Sequence, residues 1–398
     1  MFHHDAEHTG VTTSTVPITN RTLWKFTTGG KVFSSPAVYD GVVYVGSFDG
    51  KVYALNALTG AVKWSFPTLA AVYSSPAVSN EVVYVGSLDH NVYALNASTG
   101  LLLWNFTTGK EVFSSPTVAD GTVYVGSDDD RIYALNAQTG TLQWSYKTGD
   151  NVQSSPTVSN GVVYVSSNDS NIYAFNADNG KKLWTFKTGS YTVSSPAIAD
   201  GTVYVGSYDN NTYALDAANG ALIWNRTTDY DICMQSSPAV HNGLIYVGAS
   251  RLFSFSLPSP TIPNQTIIGD KIYALNATTG DVVWSYITGG GVWSSPAVSG
   301  SMLFVGSGDG KLYALNAATG ALQWSYATNG TVYSSPAVAG SVVYFGSSDG
   351  NVYAIGSPTA TSNSRLLDDW LFIAIAVVVL AAAIFLLVRK SRRDIKVT

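Results

Sequence analysis

A period of 40 residues governs this chain and leaves few folds open to it. Tryptophan recurs at Trp24, Trp64, Trp104, Trp144, Trp184 and Trp224, then at Trp284 and Trp324. A Ser-Ser-Pro triplet begins at Ser34, Ser74, Ser114, Ser154, Ser194, Ser236, Ser294 and Ser334. A Tyr-Ala pair begins at Tyr53, Tyr93, Tyr133, Tyr173, Tyr213, Tyr273, Tyr313 and Tyr353. Three independent markers each count eight. A unit of this size has two apolar faces to cover and cannot stand alone, so the copies must stack on one another.

Each unit holds four short runs rich in β-formers, SSPAV, VYVGS, VYALNA and LWxF, separated by Asp-Gly, Asn-Gly and Thr-Gly turns. Four strands per unit, repeated eight times, predict an all-β, eight-bladed β-propeller. Proline has no N–H to offer a sheet and belongs on an edge. The Ser-Ser-Pro run is therefore expected to be each blade's innermost strand, facing a central channel, with the Trp strand at the outer edge. The chain begins with a lone Trp strand, Leu23 to Phe26, and its last repeat lacks one. The N-terminal strand is expected to complete the eighth blade and close the ring. The propeller then occupies 18–356, after a lead segment at 1–17. Asp49, Asp89, Asp129, Asp169, Asp209, Asp309 and Asp349 fall in hairpin turns, where Asp-Gly suits a type I′ geometry.

Beyond the ring the pattern changes. A linker at 357–369 precedes 19 uncharged residues, Trp370 to Val388, which as a helix would span roughly 28 Å, the thickness of a bilayer core. Asp368 and Asp369 precede this run, and Arg389, Lys390, Arg392, Arg393 and Lys396 follow it. That asymmetry predicts a single transmembrane helix with a basic cytoplasmic tail at 389–398 and an extracellular propeller. The opening MFHHDAEHTG carries no basic or apolar targeting run. This topology expects residues upstream of Met1; otherwise the chain is tail-anchored with its propeller in the cytoplasm. Asn-x-Ser/Thr acceptors, from Asn20 to Asn329, are compatible with a surface location.

Charge and cysteine content narrow the function. Lys plus Arg number 21 against 26 Asp plus Glu, and within 1–364 the balance is 15 against 23. A nucleic-acid partner is not expected of so acidic a ring. Cys233 is the single cysteine, so an intramolecular disulfide and zinc-ribbon or CxxC chemistry are excluded. His3, His4, Asp5 and His8 are metal-ligand types, but nothing in the pattern supplies a scaffold, and no metal is expected.

The run AxNxxTGxxxW, as in Ala54, Asn56, Thr59, Gly60 and Trp64 or Ala94, Asn96, Thr99, Gly100 and Trp104, resembles the tryptophan-docking motif of the pyrroloquinoline-quinone (PQQ) repeat family. The resemblance covers about 330 residues. It departs from the enzyme pattern in having Asn where Asp is usual, Asp216 excepted. It implies eight blades docked by Trp24, Trp64, Trp104, Trp144, Trp184, Trp224, Trp284 and Trp324. The family contains quinoprotein dehydrogenases and non-catalytic scaffolds, and fold alone does not choose between them. The enzymes are similar in having a vicinal disulfide over the cofactor, a catalytic Asp and ligands for Ca²⁺. Here there is one cysteine, and no Asp, Glu, Arg or Lys stands in any Ser-Ser-Pro strand. No catalytic residue and no cofactor are expected; a dehydrogenase using PQQ with Ca²⁺ is the alternative.

Strand order puts the loops after the second and fourth strands on one face. Departures from the period fall there: two extra residues near 229–233, and 18 more in 251–269, which include Phe253, Phe255 and Leu257. The residue before each Ser-Ser-Pro also varies. In ring order Trp293, Tyr333, Phe33, Tyr73 and Phe113 make an aromatic arc, and Gln153, Val193 and Gln235 complete the circle. Such an arc either binds a protein, peptide or glycan partner or packs loops beneath the rim. The loop aromatics are open to the same two readings. The linker is expected to leave from the opposite, plain face, turning the looped face away from the membrane.

Overall fold

The computed structural model describes residues 5, 7–228, 232–233, 236–251 and 270–357. The expected linker, membrane helix and tail from 358 onward lie outside the described residues. Among the described residues, no helix is long and apolar enough to cross a membrane.

Eight sheets form the structure, antiparallel apart from one added strand described below. Blade 1 consists of β3 (Ala37–Tyr39), β4 (Val42–Ser47), β5 (Lys51–Asn56) and β6 (Val62–Pro67), in that spatial order. Six further blades repeat it. Blade 8 is completed from the other end of the chain: β2 (Thr22–Thr27) pairs antiparallel with Asn351–Gly356, Trp24 opposite Ala354. The first repeat's Trp strand thus closes the ring.

Two sequence expectations need correction. The Ser-Ser-Pro run is not itself a strand. The innermost strand is only three residues, and the triplet is the lead-in to it, because both serines are turned to other hydrogen bonds, described below. The Asp-Gly turn between the second and third strands is not type I′ either. Only its last residue has positive φ, as at Gly50 (76°) or His90 (74°), and Gly50 N–H donates to Ser47 O. Asp49 instead folds back, its carboxylate accepting from Gly29 N–H at 2.7 Å and from the Tyr53 hydroxyl at 2.6 Å. Type I′ geometry belongs to the first hairpin, where Asp40 and Gly41 both have positive φ.

Between neighbouring blades lie apolar clusters, such as Tyr44, Val52 and Trp64 of blade 1 with Val83, Val85 and Leu95 of blade 2. The second and third strands are buried on both faces because each blade is sandwiched. The docking motif is explained by one contact set. Trp64 Nε1 donates to Ala97 O of the next blade at 2.8 Å, and the Tyr44 hydroxyl donates to the same carbonyl at 3.1 Å. A Cβ on Gly100 would stand 2.6 Å from the Trp64 ring. Asn96 Oδ1 holds the loop by accepting from Ser98 and Thr99 N–H. Asp216 performs the same capping with Ala218 and Asn219, so exchanging Asn for Asp changes nothing in the turn.

Seven of the eight tryptophans, Trp24, Trp64, Trp104, Trp144, Trp184, Trp224 and Trp284, donate to such an alanine carbonyl at 2.8–3.0 Å. Trp324 is the exception. Its buried Nε1 has no partner among the described residues; in blade 8 the sequence reads Gly356-Ser357-Pro358 where other blades have Asn, Ala and the start of the Thr-Gly turn. Phe304 stands in blade 7 where other blades use Tyr. In that blade the Trp indole is unpaired and the side chain beside it has no hydroxyl to donate.

Candidate functional site

A central channel runs through the ring, and the Ser-Ser-Pro triplets build its waist. The first serine works within its blade: Ser34 Oγ accepts from Gly46 N–H at 3.0 Å, and the seven equivalents do likewise at 2.9–3.2 Å. The second works between blades. Ser35 N–H donates to Ser75 Oγ, Ser75 to Ser115, and so on through Ser155, Ser195, Ser237, Ser295 and Ser335, all at 2.9–3.1 Å. The sequence marked these serines only as a counter of repeats.

On the looped-face side of this waist lies a cavity of 260 Å³. Its wall is the aromatic arc in contact order. Ring centroids are 5.7 Å apart for Trp293 and Tyr333, which stack at 14°, 5.3 Å for Tyr333 and Phe33, 5.9 Å for Phe33 and Tyr73, and 5.4 Å for Tyr73 and Phe113. Phe48 buttresses Phe33 from outside at 4.9 Å. All five arc residues are half-buried, so the arc both packs on itself and faces the cavity. Gln153, Val193 and Tyr208 complete the wall. Tyr208, which stacks on Tyr191 at 4.0 Å, was not foreseen. It sits at a turn position occupied by Phe48, Leu88 and Asp128 in other blades, with no fixed residue type to announce it.

The basin's polarity is set by neutral groups. Burial, then the facing Tyr333, pushes the Tyr73 hydroxyl well above the usual phenol range, keeping it a donor. Gln153 Nε2 donates to Asp128 Oδ2 at 3.0 Å behind the wall, which leaves the Gln153 amide oxygen as an acceptor. Burial pushes the Asp128 carboxyl up, and the Gln153 amide only partly offsets this. No Asp, Glu, Lys or Arg lines the basin among the described residues; Lys31 sits with its ammonium 5.9 Å from the Phe33 ring. PQQ with Ca²⁺ does not fit this lining: the quinone's carboxylates call for cationic partners, and calcium calls for a shell of carboxylate and carbonyl oxygens.

Of the two insertions, Ile232 and Cys233 form a short strand paired with Arg251 and Ser250. The shorter insertion therefore lies beside the start of the longer one on the looped face. Phe253, Phe255 and Leu257, and also Gln235, lie outside the described residues.

The lead segment enters the channel from the plain face. Ile198, Val240 and Val298 N–H donate to Glu7, Thr9 and Gly10 O at 2.8–2.9 Å. Then β1 (Val11–Thr12) pairs parallel with Ala297–Ser299. His8 is fully buried, with Nε2 at 3.2 Å from Thr117 Oγ1 and Nδ1 at 2.9 Å from Thr157 Oγ1. Asp5 caps this turn by accepting from Thr9. His8 is thus a bridge between blades 3 and 4. His3 and His4 lie outside the described residues, and among those described no cluster of three or more metal-ligand side chains occurs.

A family model described as outer membrane protein assembly factor BamB matches residues 12–72, 68–155, 147–286 and 268–362. Among solved structures, BamB from Moraxella catarrhalis is 17% identical, with a TM-score of 0.71 over 85% of this chain and 100% of that one. A europium-containing methanol dehydrogenase is 16% identical, with a TM-score of 0.75 over 90% and 97%. The computationally designed Ika8 protein is 16% identical, with a TM-score of 0.70 over 87% and 100%. No curated protein matches the chain.

Proposed function

Because the chain belongs to the PQQ-repeat propeller family described as outer membrane protein assembly factor BamB, we propose that it is a non-catalytic binding propeller that engages a protein, peptide or glycan partner through its looped face. The observation that carries this reading is the uncharged basin. Stacked aromatics, a serine floor and tyrosine hydroxyls offer an apolar ring face with a few hydrogen bonds, which suits a sugar ring or an aromatic side chain. Among the described residues the same wall offers no general base and no cationic clamp. The inserted loop 251–269, with Phe253, Phe255 and Leu257, extends the binding surface on that face. On the same reading the uncharged run at 370–388 anchors the propeller in a membrane and the partner is extracellular.

The test is a pull-down from envelope extract with the purified propeller, run beside a Trp293→Ala/Tyr333→Ala variant and a deletion of 251–266. A partner retained by wild type and lost from either variant supports the reading. A PQQ and Ca²⁺ titration followed by absorbance, with dye-linked alcohol oxidation, decides the alternative: quinone binding with turnover overturns it.

A further inference from the structure

We propose that the plain-face half of the channel is a second binding site, separate from the looped-face basin, that takes an extended peptide with a small, β-branched core and a basic outer end. The lead segment covers only part of this half. A cavity of 380 Å³ remains, walled on one side by Gly10, Thr12 and Ser14 of the segment and on the other by the inner strands of blades 8, 1 and 2.

The lead segment itself demonstrates how those strands bind. In blade 7 the inner strand reads Ala297-Val298-Ser299, and Val298 N–H donates to Gly10 O while β1 runs parallel beside it. Blade 2 repeats the same three residues as Ala77-Val78-Ser79, and blades 1 and 8 differ only at the third, as Ala37-Val38-Tyr39 and Ala337-Val338-Ala339. The register is also the same. Val38 lies opposite Val43, one step from the pair that closes the two-residue hairpin, so its N–H points away from β4 and into the channel. Val78 and Val338 lie likewise opposite Val83 and Val343. One AVS strand is paired, and its twin opens onto a cavity: the site accepts a strand by continuing the ladder that β1 starts.

Charge selects the outer end. The eight inner hairpin turns at this mouth carry Asp40, Glu81, Asp120 and Asp200, all exposed, and no Lys or Arg. Asp40 and Glu81 belong to blades 1 and 2, which wall the cavity. An apolar β-strand core with lysine at its outer end meets donors inside and carboxylates at the rim.

The experiment uses the propeller and a capped fluorescent peptide, Lys-Gly-Val-Thr-Thr-Ser-Thr-Lys, read by anisotropy. Saturable binding is expected, at least tenfold weaker for the glutamate-flanked analogue and for a backbone N-methylated peptide of the same sequence. Val38→Pro removes the inward N–H without touching the β3–β4 ladder, so it is expected to weaken binding at least tenfold with an unchanged circular dichroism spectrum. Tyr333→Ala, which alters the separate looped-face basin, is expected to leave the affinity for this peptide unchanged. Equal binding of the N-methylated peptide overturns the proposal whatever the variants do. So does loss of binding in Tyr333→Ala, or new protease cleavage within residues 7–16 on adding peptide, which would mean the segment is displaced rather than joined.

Discussion

Ser335 donates its backbone N–H to Ser35 Oγ at 2.9 Å, joining residues 300 positions apart. That bond closes a circle of eight, in which each serine gives through its backbone and receives through its side chain. Removing one hydroxyl leaves a buried N–H with no acceptor. Ser35→Ala is expected to cost about 1–3 kcal/mol, the range for an unsatisfied buried donor, measured by urea unfolding. A loss within experimental error would show that the circle contributes nothing to stability.

Two glycines with the same backbone separate packing from conformation. Gly100 (φ 73°) lies 2.6 Å, by its hypothetical Cβ, from Trp64, whereas Gly121 (φ 74°) has nothing within 4 Å. Gly121→Ala pays only the left-handed penalty, about 1–2 kcal/mol. Gly100→Ala is expected to cost several-fold more and to change Trp64 fluorescence. Equal melting temperatures for the two would refute the docking account.

Asp128 bears on pH. Its carboxyl is raised by burial, so the ionised form is disfavoured in the folded ring. That cost is present above the folded pKa and fades as pH falls through it. Asp128→Asn should therefore melt higher than wild type near pH 7, with the gap narrowing toward about pH 4. A gap that widens on acidification would reverse the sign.

Tyrosines act at the other end of the scale. Burial raises Tyr44, Tyr246 and Tyr344 to about 12, above the unfolded value of about 10. Their contribution is intact below about pH 10 and is lost as pH rises through about 12. Absorbance titration at about 295 nm is expected to show a late-ionising class that disappears in urea; a single step at the phenol's ordinary pKa would contradict it.

How much was legible follows from what repeats. Trp, Gly and Tyr-Ala recur because each blade meets the next in the same way, so the ring, its count and its closure by β2 could be read from spacing. The serine circle could not, since its bonds link a backbone to a side chain a whole repeat away. Nor could the route of residues 7–16, which occur once and have no period. Tyr208 was hidden by a turn position that tolerates Phe, Leu or Asp. The Asp-Gly turn was misread because Asp49 answers to Gly29 and Tyr53 rather than to its own hairpin.

Blade 8 draws its strands from both ends of the repeat array, while residues 7–16 lie in the plain-face half of the channel. On the ribosome, β2 is made long before Asn351–Gly356 and must wait for it before either has its sheet. Until then the propeller is unfinished, and synthesis that stops short of Gly356 leaves an open ring with two raw sheet edges.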